Sequence, residues 1–88
     1  MTEQEIQDLR EQSEKGRKAK IAIEFLNDFL IQERATTINH LETGGFLNPQ
    51  DLEPPVIYLR LLRKLEMTAQ SFIDMGDIAE KELTENGI

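Results

Sequence analysis

Apolar positions in the C-terminal half of the chain recur at helical spacing. Tyr58, Leu62, Leu65, Ala69, Phe72, Gly76, Ala79 and Leu83 are separated alternately by four and three residues, the spacing that keeps one face of a helix against a partner. Strict alternation, the signature of a half-buried strand, is absent. The pattern predicts a helix over about residues 55–85, roughly 45 Å long at 1.5 Å per residue, with Pro55 in the first turn, where a missing N–H costs nothing. In the N-terminal half, Ala19, Ala22, Leu26, Phe29 and Glu33 predict a matching seam. Ile23 and Leu30 lie beside it, and Ile6 and Leu9 continue the track. This first helix is expected over about residues 2–43, with Gly44 closing it as a left-handed C-cap. Its weakest point is Thr36-Thr37, where adjacent β-branched residues lower helix propensity and a break near 36–37 would be cheapest.

Helix-breaking residues cluster between the two halves: Gly44-Gly45, Pro49 and Pro54-Pro55. They predict one connection over about residues 44–54, with a short helical turn at 49–53 started by Asn48 and Pro49. Phe46, Leu47 and Leu52 would plug the end. A connection this short sets the helices antiparallel. The expected fold is therefore all-α: one domain over residues 1–88, an antiparallel two-helix hairpin. The register expected from the loop sets Gly16, Ala19 and Ala22 against Gly76 and Ala79. It sets Leu26 and Phe29 against Ala69 and Phe72, and Glu33 near Arg63 and Lys64.

The two seams do not use up the apolar residues. Ile21, Phe25 and Ile31 add further faces to the first helix, and Val56, Ile57, Leu59 and Leu61 add them to the second. A helix that is apolar nearly all round is buried on more than one side, and two helices cannot bury both segments against each other alone. Leaving them wet forgoes about 25 cal/mol per Å². These seven residues are the candidate oligomer or partner face, and the hairpin is expected to oligomerise into a helical bundle. Size points the same way. Eighty-eight residues without cysteine cannot use disulfide staples, and association is the remaining route to a larger core.

Charge narrows the partners. Ten Lys and Arg against seventeen Asp and Glu give a net charge of −7, which opposes electrostatic binding to nucleic acid or to an anionic membrane. The basic run Lys15, Arg17, Lys18, Lys20 lies between acidic stretches and lacks interleaved aromatics, so it reads as a salt-bridged helix face. In a hairpin the terminal end gathers Glu3, Glu5 and Asp8 with Asp77, Glu80, Glu82 and Glu85, while Arg34, Arg60, Arg63 and Lys64 lie in the opposite half. No apolar run approaches the ~18 residues of a membrane span, and the polar N-terminal stretch has no signal-peptide core. The expected location is the cytoplasm.

The sequence carries no constellation for catalysis. One histidine, His40, cannot form a Glu-x-x-His metal pair, because Thr37 stands three residues before it. Asp74, Asp77 and Glu80 lack the carbonyl-bearing loop that calcium sites use. No catalytic, cofactor-binding or metal-binding residue and no cofactor are expected, and the chain is expected not to be an enzyme.

Two stretches carry a family resemblance. Ser13-Glu14-Lys15-Gly16-Arg17-Lys18-Ala19-Lys20 leads into an apolar helix, and Leu59 to Leu83 ends in Gly76-Asp77-Ile78-Ala79-Glu80-Lys81. Together, over some two-thirds of the chain, they resemble small bacteriophage proteins of helical-hairpin type, often encoded among head-assembly genes. Those proteins carry a glycine, a basic residue and an alanine near the end of the second helix; here Asp77 stands in the basic position. The resemblance implies a phage origin, and with it a place in the host cytoplasm or on the virion. Taken with the seam, the surplus apolar faces and the missing chemistry, it leads to the expectation of an oligomeric accessory or assembly component of the virion, with copies of itself and a phage structural protein or a host protein as partners. Two other classes fit the composition: an acidic phage inhibitor of a host defence or nucleic-acid enzyme, and an oligomeric helical small-molecule binder.

Overall fold

The computed structural model describes residues 1–87. Helix α1 spans Glu3–Thr43, a 3-10 turn spans Pro49–Leu52 and helix α2 spans Glu53–Glu85. The helices pack antiparallel into a rod of 61 × 23 × 13 Å, and no strand occurs among the described residues.

Helix α1 starts with a capping interaction that is legible as Thr2-x-x-Glu5. The Thr2 hydroxyl oxygen accepts from the Glu5 backbone N–H at 3.1 Å, satisfying one of the unpaired N–H groups of the first turn. Glu3 and Glu5 place negative charge at the positive end of the helix dipole. The helix then runs unbroken through Thr36-Thr37, where a break was the cheapest expectation. Thr37 is half-buried on the inner face, and packing there outweighs a propensity deficit of a few tenths of a kcal/mol. Helix α2 begins two residues earlier than the proline pattern predicts, with Pro54 and Pro55 both in its first turn, where no N–H has a helical partner.

Gly44 ends α1 without a left-handed turn. Its φ and ψ are −70° and 139°, an extended conformation, and its N–H donates to the His40 carbonyl at 2.7 Å. The glycine serves space rather than handedness. A Cβ at this position would lie 2.5 Å from the His40 carbonyl oxygen and 2.7 Å from the Phe46 ring. The Phe46 ring also meets the His40 ring edge-on, with centroids 5.0 Å apart.

The register is set where α1 and α2 come closest. A Cβ on Gly16 would lie 2.8 Å from the Gly76 Cα, and one on Gly76 would lie 2.8 Å from the Gly16 Cα. Gly16 therefore faces Gly76, and Ala79 does not share that layer. Seven-residue steps in opposite directions from this layer pair Leu9 with Leu83, Ile23 with Ala69, Leu30 with Leu62 and Thr37 with Pro55. All ten residues are buried or half-buried.

This seam corrects the predicted one. Leu62, Ala69, Gly76, Ala79 and Leu83 lie inside it, with Tyr58, Ala19 and Leu26 half-buried at its edge. Ala22, Phe29, Leu65 and Phe72 do not; all four are exposed, and Ile23, Leu30, Glu66 and Ile73 occupy the inner face instead. The core is thin. Among the described residues no large side chain is fully buried, and Leu30 and Leu62 are the best sealed of the leucines.

Candidate interaction surface

Two polar contacts mark the two sides of the hairpin. On one side the Tyr58 hydroxyl donates to the Glu33 carboxylate at 2.9 Å. On the other, the Arg34 guanidinium meets Glu66 at 2.7 Å, with both side chains about one-third exposed. An ion pair this open contributes at most about 1 kcal/mol. Glu33 thus pairs with Tyr58, and Arg63 and Lys64 are not its partners.

The marker contacts settle which residues share a side. Glu33 follows the seam residue Leu30 by three positions, and Tyr58 precedes Leu62 by four; both offsets rotate about the helix axis in the same sense. The residue immediately before each seam position lies farther round on that same side, about 100° from the seam. The tyrosine side therefore carries Ala22, Leu26 and Phe29 of α1, with Phe25 at its outer edge. From α2 it carries Leu61, Leu65, Thr68, Phe72 and Met75. None of these residues is charged; the charges on this side are Glu33 and, nearer the termini, Asp8, Lys15 and Glu82. Phe25 is 85 % exposed, Leu61 57 %, Phe29 55 %, Leu65 47 %, Met75 46 % and Phe72 42 %.

The residue immediately after each seam position lies on the ion-pair side. There α1 places Arg17, Glu24, Ile31 and Ile38, and α2 places Arg63, Gln70 and Asp77. That side is charged apart from a short apolar step at Ile31 and Ile38, and the depression beside it is lined by Arg34, Ile38, Leu59, Arg63, Glu66 and Met67.

The predicted partner face is consequently not one face. Phe25 and Leu61 lie on the tyrosine side with Ile57 at its outer edge, Ile31 lies on the ion-pair side, and Ile21 lies on the outer back of its helix. Val56 and Leu59 are half-buried. The continuous apolar surface is instead built from Phe25 and Leu61 with four residues that spacing had assigned to the seam: Ala22, Phe29, Leu65 and Phe72. The signal for it was in the sequence as a second stripe, with Ala22, Phe29 and Leu61 one position before the glycine heptad and Leu65 and Phe72 four before it.

Titration chemistry is sparse. The hydrogen bond to Glu33 holds the Tyr58 phenol above its usual pKa of 10.0, and desolvation and the Glu33 charge push it the same way. A raised folded-state pKa gives stabilisation that is complete below pH 10 and is lost as pH rises through the folded value. Tyr58 is the only tyrosine, so its ultraviolet titration is unambiguous. Unfolding midpoints should fall above pH 10 more steeply for the wild type than for Tyr58→Phe. Parallel curves for the two proteins would contradict this.

Among the described residues no group of three His, Cys, Asp or Glu side chains is placed to hold a metal ion, and Asp74, Asp77 and Glu80 are each exposed. Of the basic run, Lys18 pairs with Glu14 at 3.4 Å, both well exposed. No helix among the described residues is long and apolar enough to cross a membrane. Comparison with protein-family models, with curated proteins and with solved structures returns no match.

Proposed function

We propose that this chain is a non-enzymatic interaction protein of bacteriophage type, acting as an oligomeric helical accessory or assembly component of a virion. The observation that carries the reading is the apolar central stretch of the tyrosine side of the hairpin. Phe25, Phe29, Leu61, Leu65, Phe72 and Met75 stand in solvent beside a core that, among the described residues, seals no large side chain completely. Exposed apolar patches of this extent mark association surfaces, and a chain with so thin a core gains most from burying one. The resemblance of Ser13–Lys20 and Leu59–Leu83 to hairpin proteins of phage head-gene regions supplies the setting. In that setting the chain works in the host cytoplasm or on the particle, with copies of itself and a phage structural protein as partners.

The test is co-sedimentation with particles and particle precursors from infected cells, paired with deletion of the gene. The reading expects the chain in at least one of these fractions, and fewer or aberrant particles on deletion. Absence from all of them together with normal particle yield would end it. Selective capture of a host enzyme, with loss of that enzyme's activity, would replace it by the inhibitor reading.

A further inference from the structure

The tyrosine side is self-complementary, and its pattern is palindromic. On α1, Ala22 and Phe29 are arranged about a midpoint between Phe25 and Leu26, and Lys18 and Glu33 flank them about the same midpoint. On α2, Leu61 and Phe72 are arranged about a midpoint between Glu66 and Met67, and Leu65 and Thr68 share it. With Gly16 facing Gly76, these two midpoints fall at the same level of the hairpin. Nothing in the intrachain seam requires that coincidence.

We propose that two copies associate through this side about a dyad at that level, perpendicular to the helices, to form an antiparallel four-helix bundle. This inference rests on the association reading above and adds its face, symmetry and register. The dyad lays α1 along the partner's α1 and α2 along the partner's α2. Phe29 then seats over the partner's Ala22, large against small. Leu61 meets the partner's Phe72, and Leu65 meets the partner's Thr68. Lys18 comes level with the partner's Glu33, and the symmetry makes this ion pair twice.

Charge selects this arrangement over the one with both loops at the same end. That alternative stacks the acidic tips, setting Asp8 and Glu11 level with the partner's Glu82 and Glu85. Like charges at such close quarters are repulsive, and the antiparallel dyad separates them by nearly the full length of the rod. The area is also sufficient. An aromatic side chain buries roughly 150–250 Å². On that scale the six large exposed residues offer roughly 600 Å² per copy, against about 800 Å² per partner in a standard interface. Lys18, Glu33, Ile57 and Lys64 at the margins extend it.

The experiment is mass in solution by light scattering and sedimentation on the full chain, from about 1 to 100 μM, a range over which a dimer with a Kd on the order of 10 μM passes from mostly dissociated to mostly associated. A twofold mass is expected. Lys18→Glu sets a carboxylate against the partner's Glu33 and should weaken association by about fivefold or more. Adding Glu33→Gln, which leaves an acceptor for Tyr58, should recover most of that loss. The chain has no cysteine, so a spin label at Lys15→Cys reports on one site per copy. The antiparallel dyad sets the two labels roughly 30 Å apart along the axis at 1.5 Å per residue. A dimer whose labels lie within about 20 Å, or in which Glu33→Gln gives no recovery, overturns the register while leaving association standing. A monomer across the whole range overturns both.

Discussion

Gly16→Ala and Gly76→Ala should each lower the stability of the hairpin, by about 1–3 kcal/mol, the usual cost of overpacking a fitted interior. The sign is the informative part. At an open mid-helix site alanine outperforms glycine by about 1 kcal/mol, because glycine loses more backbone entropy on folding. Here the added methyl has nowhere to go. From Gly16 it would lie 2.7 Å from the Phe72 carbonyl oxygen, and from Gly76 3.1 Å from the Gln12 carbonyl oxygen, besides meeting the facing Cα in each case. Those neighbours are backbone, so relief requires the helices to separate. Separation loosens the Leu9–Leu83 and Ile23–Ala69 layers on either side, in a core with little to spare. Gly45→Ala is the control: a Cβ there meets nothing within 4 Å, and its effect should be neutral or slightly stabilising. Thermal melts by circular dichroism at matched protein concentration decide it. A Gly16→Ala midpoint equal to or above the wild type would mean that the close approach does not set the register.

Much of the fold was legible from the chain, and the phase of the seam was not. Helix existence followed from sustained four-and-three spacing, and the hairpin followed from the concentration of glycine and proline between residues 44 and 55. The seam was misplaced because two apolar heptad stripes run side by side on each helix. On α2, Leu62, Ala69, Gly76 and Leu83 form one stripe; Leu61, Leu65, Phe72 and Met75 form the other. A list that takes Leu62, Leu65, Ala69, Phe72 and Gly76 in order crosses between them while keeping perfect heptad spacing. Spacing alone cannot separate stripes this close, because both satisfy it. Side-chain size can. A glycine in mid-helix is costly unless another backbone approaches it, so Gly16 and Gly76 together fix the phase, and seven-residue steps from each recover the other layers. The Gly44 cap failed for a different reason: glycine was expected to serve a positive φ, and the structure uses it to let the Phe46 ring fold back over the helix end. The interaction surface was half legible. The surplus of apolar residues was evident, but its gathering on one side depends on the seam phase and came out wrong with it.

Leu62→Glu and Leu65→Glu, three residues apart, should separate the two stripes. Leu62 is 6 % exposed and pairs with Leu30 in the middle of the rod. A carboxylate there loses hydration without gaining a partner, and the leucine's packing is lost as well. Together these cost at least about 3–5 kcal/mol, a large fraction of what a chain this size can supply. Helical signal should collapse in Leu62→Glu, and raising the protein concentration should not restore it. Leu65 points into solvent on the tyrosine side, so glutamate there costs the single hairpin under about 1 kcal/mol, as at an ordinary surface site. Its penalty falls on association, where burial of a charge opposite the partner's Thr68 shifts the mass transition to higher concentration. Any helicity that depends on the bundle should return as the concentration rises. Far-ultraviolet circular dichroism and sedimentation over one concentration series read both effects at once. Equal, concentration-independent loss of helix in the two variants would mean that Leu65 belongs to the inner seam after all, and that the exposed stripe is not a separate surface.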